Sequence, residues 1–117
     1  MAKSKEFKLK AEDIKDLKIN MGACFATDRI TVEGNKVNFM YRQKSDNEQD
    51  SGWRFFSGTN EDEEYMNNPD NISIYDVNTI ANYDPSIISF LDSPIGSVFE
   101  KDKSGNWDKV SNFTFAD

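Results

Sequence analysis

The chain has 117 residues, no histidine and one cysteine, and its 14 Lys+Arg against 21 Asp+Glu leave a net charge of −7. Without imidazole or a second thiol there is no Ser-His-Asp triad, no Cys-His pair, no His-ligated zinc and no internal disulfide. Hydrophobic residues make up 37% and aromatics 13%, which fits one small domain with an aromatic-rich core better than a disordered acidic tail.

Met1-Ala2-Lys3-Ser4-Lys5 is basic but leads into no apolar stretch, so it does not read as a signal peptide. No run of about 18 apolar residues offers a membrane span, and a lone thiol fits a reducing, cytoplasmic setting. Lys8 to Ile19 reads as a short amphipathic helix with Leu9, Ile14 and Leu17 on one face. Cys24-Phe25-Ala26 and Arg29-Ile30-Thr31-Val32 read as strands, the second closed by a turn at Glu33-Gly34-Asn35-Lys36. Val37 to Arg42 is a further strand, placing Val37, Phe39 and Tyr41 on one face and Met40 on the other. Gln43 to Ser51 is polar and aperiodic, hence a loop.

Gly52 to Gly58 is a strand bracketed by glycines. Its period of two sets Trp53 and Phe55 against Arg54 and Phe56, so both faces carry aromatic mass and a central position is expected. Thr59 or Asn60 is expected to cap a helix over Glu61 to Met66, closed by a turn at Asn67 to Asn71. Ile72 to Tyr75 alternates as a strand, and Asp76 to Asn82 reads as a helix with Val77, Ile80 and Ala81 inward. Asp84-Pro85 signals a new helix start, running to Leu91. Ser97 to Lys101 is a strand joined by a hairpin turn at Lys103 to Asn106 to Trp107 and Val110, and Phe113 and Phe115 could close an edge. The expected architecture is a single α+β domain, residues 1–117, with a mainly antiparallel sheet packed against short helices.

Eight acidic residues lie between Asp46 and Asp70, namely Asp46, Glu48, Asp50, Glu61, Asp62, Glu63, Glu64 and Asp70, against one base, Arg54. That window carries the whole net charge. It would repel phosphate backbones, which speaks against nucleic acid, and it would favour a basic protein partner. A merely solvated loop is the plainer alternative. Trp53, Arg54, Phe55 and Phe56 have the composition of a protein-binding hot spot, although Trp53 and Phe55 equally suit a core. Arg54 is expected to pair locally with one of the acids. A calcium loop over Asp46 to Asp50 fails, because Ser51 and Ser57 stand where an EF-hand needs Gly and Glu. Cys24, between Ala23 and Phe25, reads as a buried, inert thiol. No cofactor, metal or catalytic set is expected.

Two segments, Asp50-Ser51-Gly52-Trp53-Arg54-Phe55-Phe56-Ser57-Gly58 and Asn78-Thr79-Ile80-Ala81-Asn82-Tyr83-Asp84-Pro85, resemble the thirty-third class of bacterial immunity proteins. The resemblance covers roughly residues 20 to 102 and leaves the lysine-rich start and Gly105 to Asp117 outside. It implies an α+β fold, no catalytic motif and a role beside polymorphic toxins. The leading expectation is therefore a non-enzymatic protein that binds and blocks a cognate toxin. Its contact surface would be Asp46, Glu48, Asp50, Arg54, Glu61, Asp62, Glu63 and Glu64, with Trp53 or Tyr65 as an anchor. The alternative is a solitary interaction or regulatory module, possibly a homodimer; an enzyme using a perturbed carboxylate or lysine is a third.

Overall fold

The structure, a computed structural model, describes residues 6–45, 47–58, 61–111 and 113. Its strands are β1 (Ala23–Thr27), β2 (Phe39–Arg42), β3 (Asp50–Phe56), β4 (Ile72–Asp76), β5 (Val98–Lys101) and β6 (Trp107–Lys109). They form one sheet in the order β4-β1-β3-β2-β5-β6. The β1–β3 pair is parallel and the other neighbours are antiparallel, as expected of a mainly antiparallel α+β domain. Helices are short: α1 (Asp28–Thr31), α2 (Glu63–Met66) and α3 (Val77–Tyr83), with 3-10 turns at Ala11–Asp13, Pro69–Asn71 and Pro85–Phe90.

Strand alternation sorts the side chains onto two faces. Ala26, Met40 and Phe55 stand side by side across β1, β3 and β2, and Met40 is opposite Phe99. With Cys24 and Trp53 they form the core face, packed against Ile30 of α1, Val77, Ile80 and Ala81 of α3, and Ile87 and Leu91 beyond it. The spacing of Val77, Ile80 and Ala81 is the helical i, i+3, i+4 that buries one face. Asp76 caps that helix by accepting from the Asn78 N–H at 2.9 Å.

Several local expectations fail where tertiary contacts override local pattern: Val37, expected on the face of Phe39 and Tyr41, lies before β2 and is buried in the core with Met40, and β3 starts at Asp50, inside the expected loop. Over residues 8–19 the chain makes only the 3-10 turn Ala11–Asp13 and is otherwise an extended strap. The helix lacks a buried apolar stripe, since Leu17 is 41% and Ile19 53% exposed, and short helices owe their stability to such burial. Instead the side chain of Asn78 accepts from the Leu17 and Lys18 N–H groups at 2.8 and 2.9 Å. That of Asn82 accepts from the Lys15 N–H at 2.9 Å, and both amides donate back to the Lys15 carbonyl. The Arg29–Val32 segment, β-branched and read as a strand, forms α1 because it must turn straight out of β1 to bury Ile30 and Thr31. The helix read over 61–66 begins only at Glu63, with Asp62 as its cap at 2.9 Å from the Tyr65 N–H; Thr59 and Asn60, the expected caps, and Phe115 lie outside the described residues.

The Asp84-Pro85 signal is real and does more than start a turn. One oxygen of Asp84 accepts from the Ser86 N–H and hydroxyl at 3.1 and 2.7 Å. The other accepts from the Val37 N–H at 3.1 Å and from Lys101 Nζ at 2.6 Å. Both partners of this ion pair are buried, and Lys101 also lies 5.1 Å from the Trp107 ring centroid, so one carboxylate joins the turn after α3 to β5 and the entry to β2. Burial acts to raise its pKa, but the hydrogen bonds from Lys101 and Ser86 and the Lys101 charge outweigh it and hold Asp84 below its ordinary 3.8. A depressed carboxylate stabilises the fold above its unfolded pKa and loses that contribution as pH falls through the folded value. Urea denaturation is expected to show stability falling below about pH 4, with Asp84→Asn flattening that fall and costing about 3 kcal/mol at pH 7.

Candidate functional site

The sheet face opposite the core is built around a swelling in β3. Ala23 pairs with Asp50 and Phe25 with Arg54, so two steps along β1 are matched by four along β3. Such a bulge needs a residue tolerant of left-handed backbone, and Gly52 sits there at φ +88°. A Cβ at Gly52 would stand 2.2 Å from the Gln43 carbonyl oxygen, so no other residue fits without moving backbone. Polar groups of the bulge find partners close by. Gly52 N–H donates to Asp50 at 2.9 Å, Trp53 N–H to the Ser51 hydroxyl at 3.2 Å, and Arg42 Nε to the Ser51 carbonyl at 2.9 Å.

Four residues of regular strand span roughly 13 Å, too far for side chains at Asp50 and Arg54 to grip each other closely. Across the bulge they form a two-pronged pair, Nη1 to Oδ1 and Nη2 to Oδ2 both at 2.9 Å, with side chains only 9% and 6% exposed. Arg54 also donates to the Trp53 carbonyl at 3.0 Å, and its guanidinium lies 4.4 Å above the Phe25 ring. The local pairing expected of Arg54 is thus present. Around it Phe39, Tyr41 and Phe56 pack with centroid separations of 5.6 to 6.0 Å. Phe113 covers the Phe39–Tyr41 end of this row. At the other end a groove of about 510 Å³ runs between the sheet and the α2 segment, lined by Phe25, Tyr41, Phe56, Met66 and Ile72.

Among the expected contact residues, the structure separates more than it unites. Trp53 is fully buried on the core face and its indole N–H donates to the Leu91 carbonyl at 3.1 Å, which corrects its reading as a contact anchor: a partner would have to open the core to touch it. Asp50 is committed to Arg54. Glu61 is committed as well, accepting from the Ser57 and Gly58 N–H groups at 3.0 and 2.7 Å and from the Thr27 hydroxyl. Tyr65 is half-buried, with the Arg29 guanidinium 4.3 Å from its ring centroid, so it fastens α2 to α1. Glu48 is exposed in the loop before β3, and Asp46 lies outside the described residues. Asp62, Glu63 and Glu64 are exposed together beside Asn67. The acids therefore divide between the two ends of β3 rather than forming one stripe.

Phe25, Tyr41 and Met66 are the groove residues that composition did not single out, whereas Phe56 stood in the hot-spot cluster with Arg54. Their signal was the alternation that sets Tyr41, Arg54 and Phe56 on one face, but the pairing partner that adds Phe25 is parallel and 29 residues away in sequence, beyond any local pattern. Cys24 is buried in the core, where desolvation pushes its thiol pKa up, as expected of an inert cysteine. Among the described residues no cluster of three or more His, Cys, Asp or Glu is placed to hold a metal ion.

Fold and surface define a small α+β domain with an aromatic sheet groove beside an acidic helical turn. The model of the family described as the Immunity protein Imm33 domain matches residues 24–111. That is three quarters of the chain, and the chain belongs to this family. The match reaches past β6, so the β5–β6 hairpin, expected to lie partly outside the resemblance, is within it. No curated protein and no solved structure matches the chain.

The bulge and the ion pair are expected to fail together. Gly52→Ala should cost about 3 kcal/mol or more in urea denaturation, because strain at a left-handed site adds to a backbone clash. Asp50→Ala should cost about 3–5 kcal/mol by leaving a buried guanidinium unpaired. The double variant should lose measurably less than the sum, the sign of two residues serving one contact.

Proposed function

We propose that this member of the immunity family neutralises a protein toxin by occupying its surface, with no reaction of its own. The observation that carries this reading is the exposed turn of Asp62, Glu63 and Glu64 beside an aromatic groove. No ion pair among the described residues engages these three carboxylates. An acidic turn of this kind attracts a basic partner and speeds encounter with it. A non-catalytic role is supported by what the buried groups are doing. Asp50 and Asp84 are each held by a cation, and Cys24 is sealed in the core with its pKa raised. The surface proposed here is narrower than the one expected from the sequence, because Trp53, Asp50 and Glu61 hold the fold while Asp62, Glu63 and Glu64 face solvent.

The test is binding of a toxin domain found by screening the products of neighbouring genes, measured with Glu63→Lys/Glu64→Lys at two salt concentrations. Affinity is expected to fall at least about tenfold at 0.15 M salt, mostly through slower association. An unchanged affinity and an unchanged salt slope would remove the electrostatic reading.

A further inference from the structure

We infer that the groove beneath α2 receives one bulky apolar or aromatic side chain of the partner, presented on a segment flanked by Lys or Arg. The inference deepens the toxin-binding reading and rests on it for the identity of the partner. Its own basis is the chemistry of the pocket. At about 510 Å³ the groove is large enough for a side chain, and pockets of this scale that anchor partners are lined mainly by aromatic and apolar groups. Phe25, Tyr41 and Phe56 make its floor, and Met66 and Ile72 a wall. Methionine is the adaptable element in such walls, since its thioether follows the shape of what it meets.

The charge at the centre of the floor decides against an anion. Arg54 is 5% exposed, its Nη atoms are bonded to Asp50 and to the Trp53 carbonyl, and its flat face lies on Phe25. Arg54 is thus a cation already neutralised by Asp50 and shielded by Phe25, and it leaves the floor to the apolar surfaces of Phe25, Tyr41 and Phe56. The rim is charged in the opposite sense. Asn67 lines both the groove and the acidic patch of Asp62, Glu63 and Glu64, so a segment seated in the groove has its flanks against carboxylates. An apolar centre with basic flanks satisfies both parts, whereas a nucleotide or an acidic peptide would be repelled at the rim.

The probe is the peptide acetyl-Lys-Lys-Trp-Lys-Lys-amide, titrated into the ¹⁵N-labelled full chain. Chemical shifts are expected to move at the amides of Phe25, Arg54, Phe56 and Asn67. The Ala-centred and Glu-flanked counterparts should bind about tenfold more weakly or not at all. Met66→Trp, which fills the groove from an element outside the core, should abolish the shifts while leaving the spectrum of the sheet intact. Shifts confined to the acidic turn, equal binding of the Ala-centred peptide, or concentration-dependent shifts without peptide from self-association on this face would each overturn the inference. If Met66→Trp binds the toxin as wild type while Glu63→Lys/Glu64→Lys does not, the groove assignment falls and the immunity reading stands. If the peptide occupies the groove and no toxin binds the chain, the immunity reading falls alone.

Discussion

Gly52 lets β3 take on extra length against β1, and much of the sheet face opposite the core follows from that. The swelling shortens the path between Asp50 and Arg54 enough for a two-pronged contact, which makes it possible to bury a guanidinium on a sheet face at all. A buried cation without such a partner would be strongly destabilising. With it, Arg54 lies neutralised against Phe25, and the neighbouring rings of Tyr41 and Phe56 pack around it. The side chains that border the swelling, Ser51 and Arg42, close its remaining polar groups. The parallel pairing of β1 with β3 thereby survives an irregularity that would otherwise leave buried N–H and C=O groups unpaired.

β3 consequently serves two purposes on its two faces. Trp53 and Phe55 stack 5.9 Å apart toward the helices and hold the core, while Arg54 and Phe56 line the groove. The acidic residues are divided in the same manner between structure and surface. Glu61 binds the chain leaving β3 to Thr27 at the end of β1, and Tyr65 rests against Arg29. These two contacts fix the α2 turn where it overhangs the sheet. The solvent-facing carboxylates of this turn, Asp62, Glu63 and Glu64, are thus held by contacts on both sides.

Much of this arrangement could be read from the residues alone. The alternation of Trp53, Arg54, Phe55 and Phe56 marked a central strand, Asp84-Pro85 marked a capped turn, and Ile80 and Ala81 marked the buried side of α3. Those signals are local, spanning one or two turns or strands, and they survive because the tertiary contacts reinforce them. The failures have the opposite character. Lys8 to Ile19 has a helical pattern, but its fate depends on Asn78 and Asn82, more than 60 residues away. The acidic residues look alike in composition, yet Glu61 is a strand-end clamp, Asp50 grips an arginine, and Glu48, Asp62, Glu63, Glu64 and Asp70 face water. Which acid does which depends on partners brought by a bulge and a parallel pairing, neither of which leaves a periodic trace.

The strap along α3 carries an implication for the order in which the chain settles. Outside the 3-10 turn at Ala11–Asp13, the amides of Leu9, Lys15, Leu17 and Lys18 are satisfied from α3, by the Tyr83 hydroxyl and the side chains of Asn82 and Asn78. Those acceptors are in place only after α3 has formed, and closing loops of this length is entropically costly. The strap is thus expected to seat after α3, and its release would break contacts to α3 rather than pairings within the sheet.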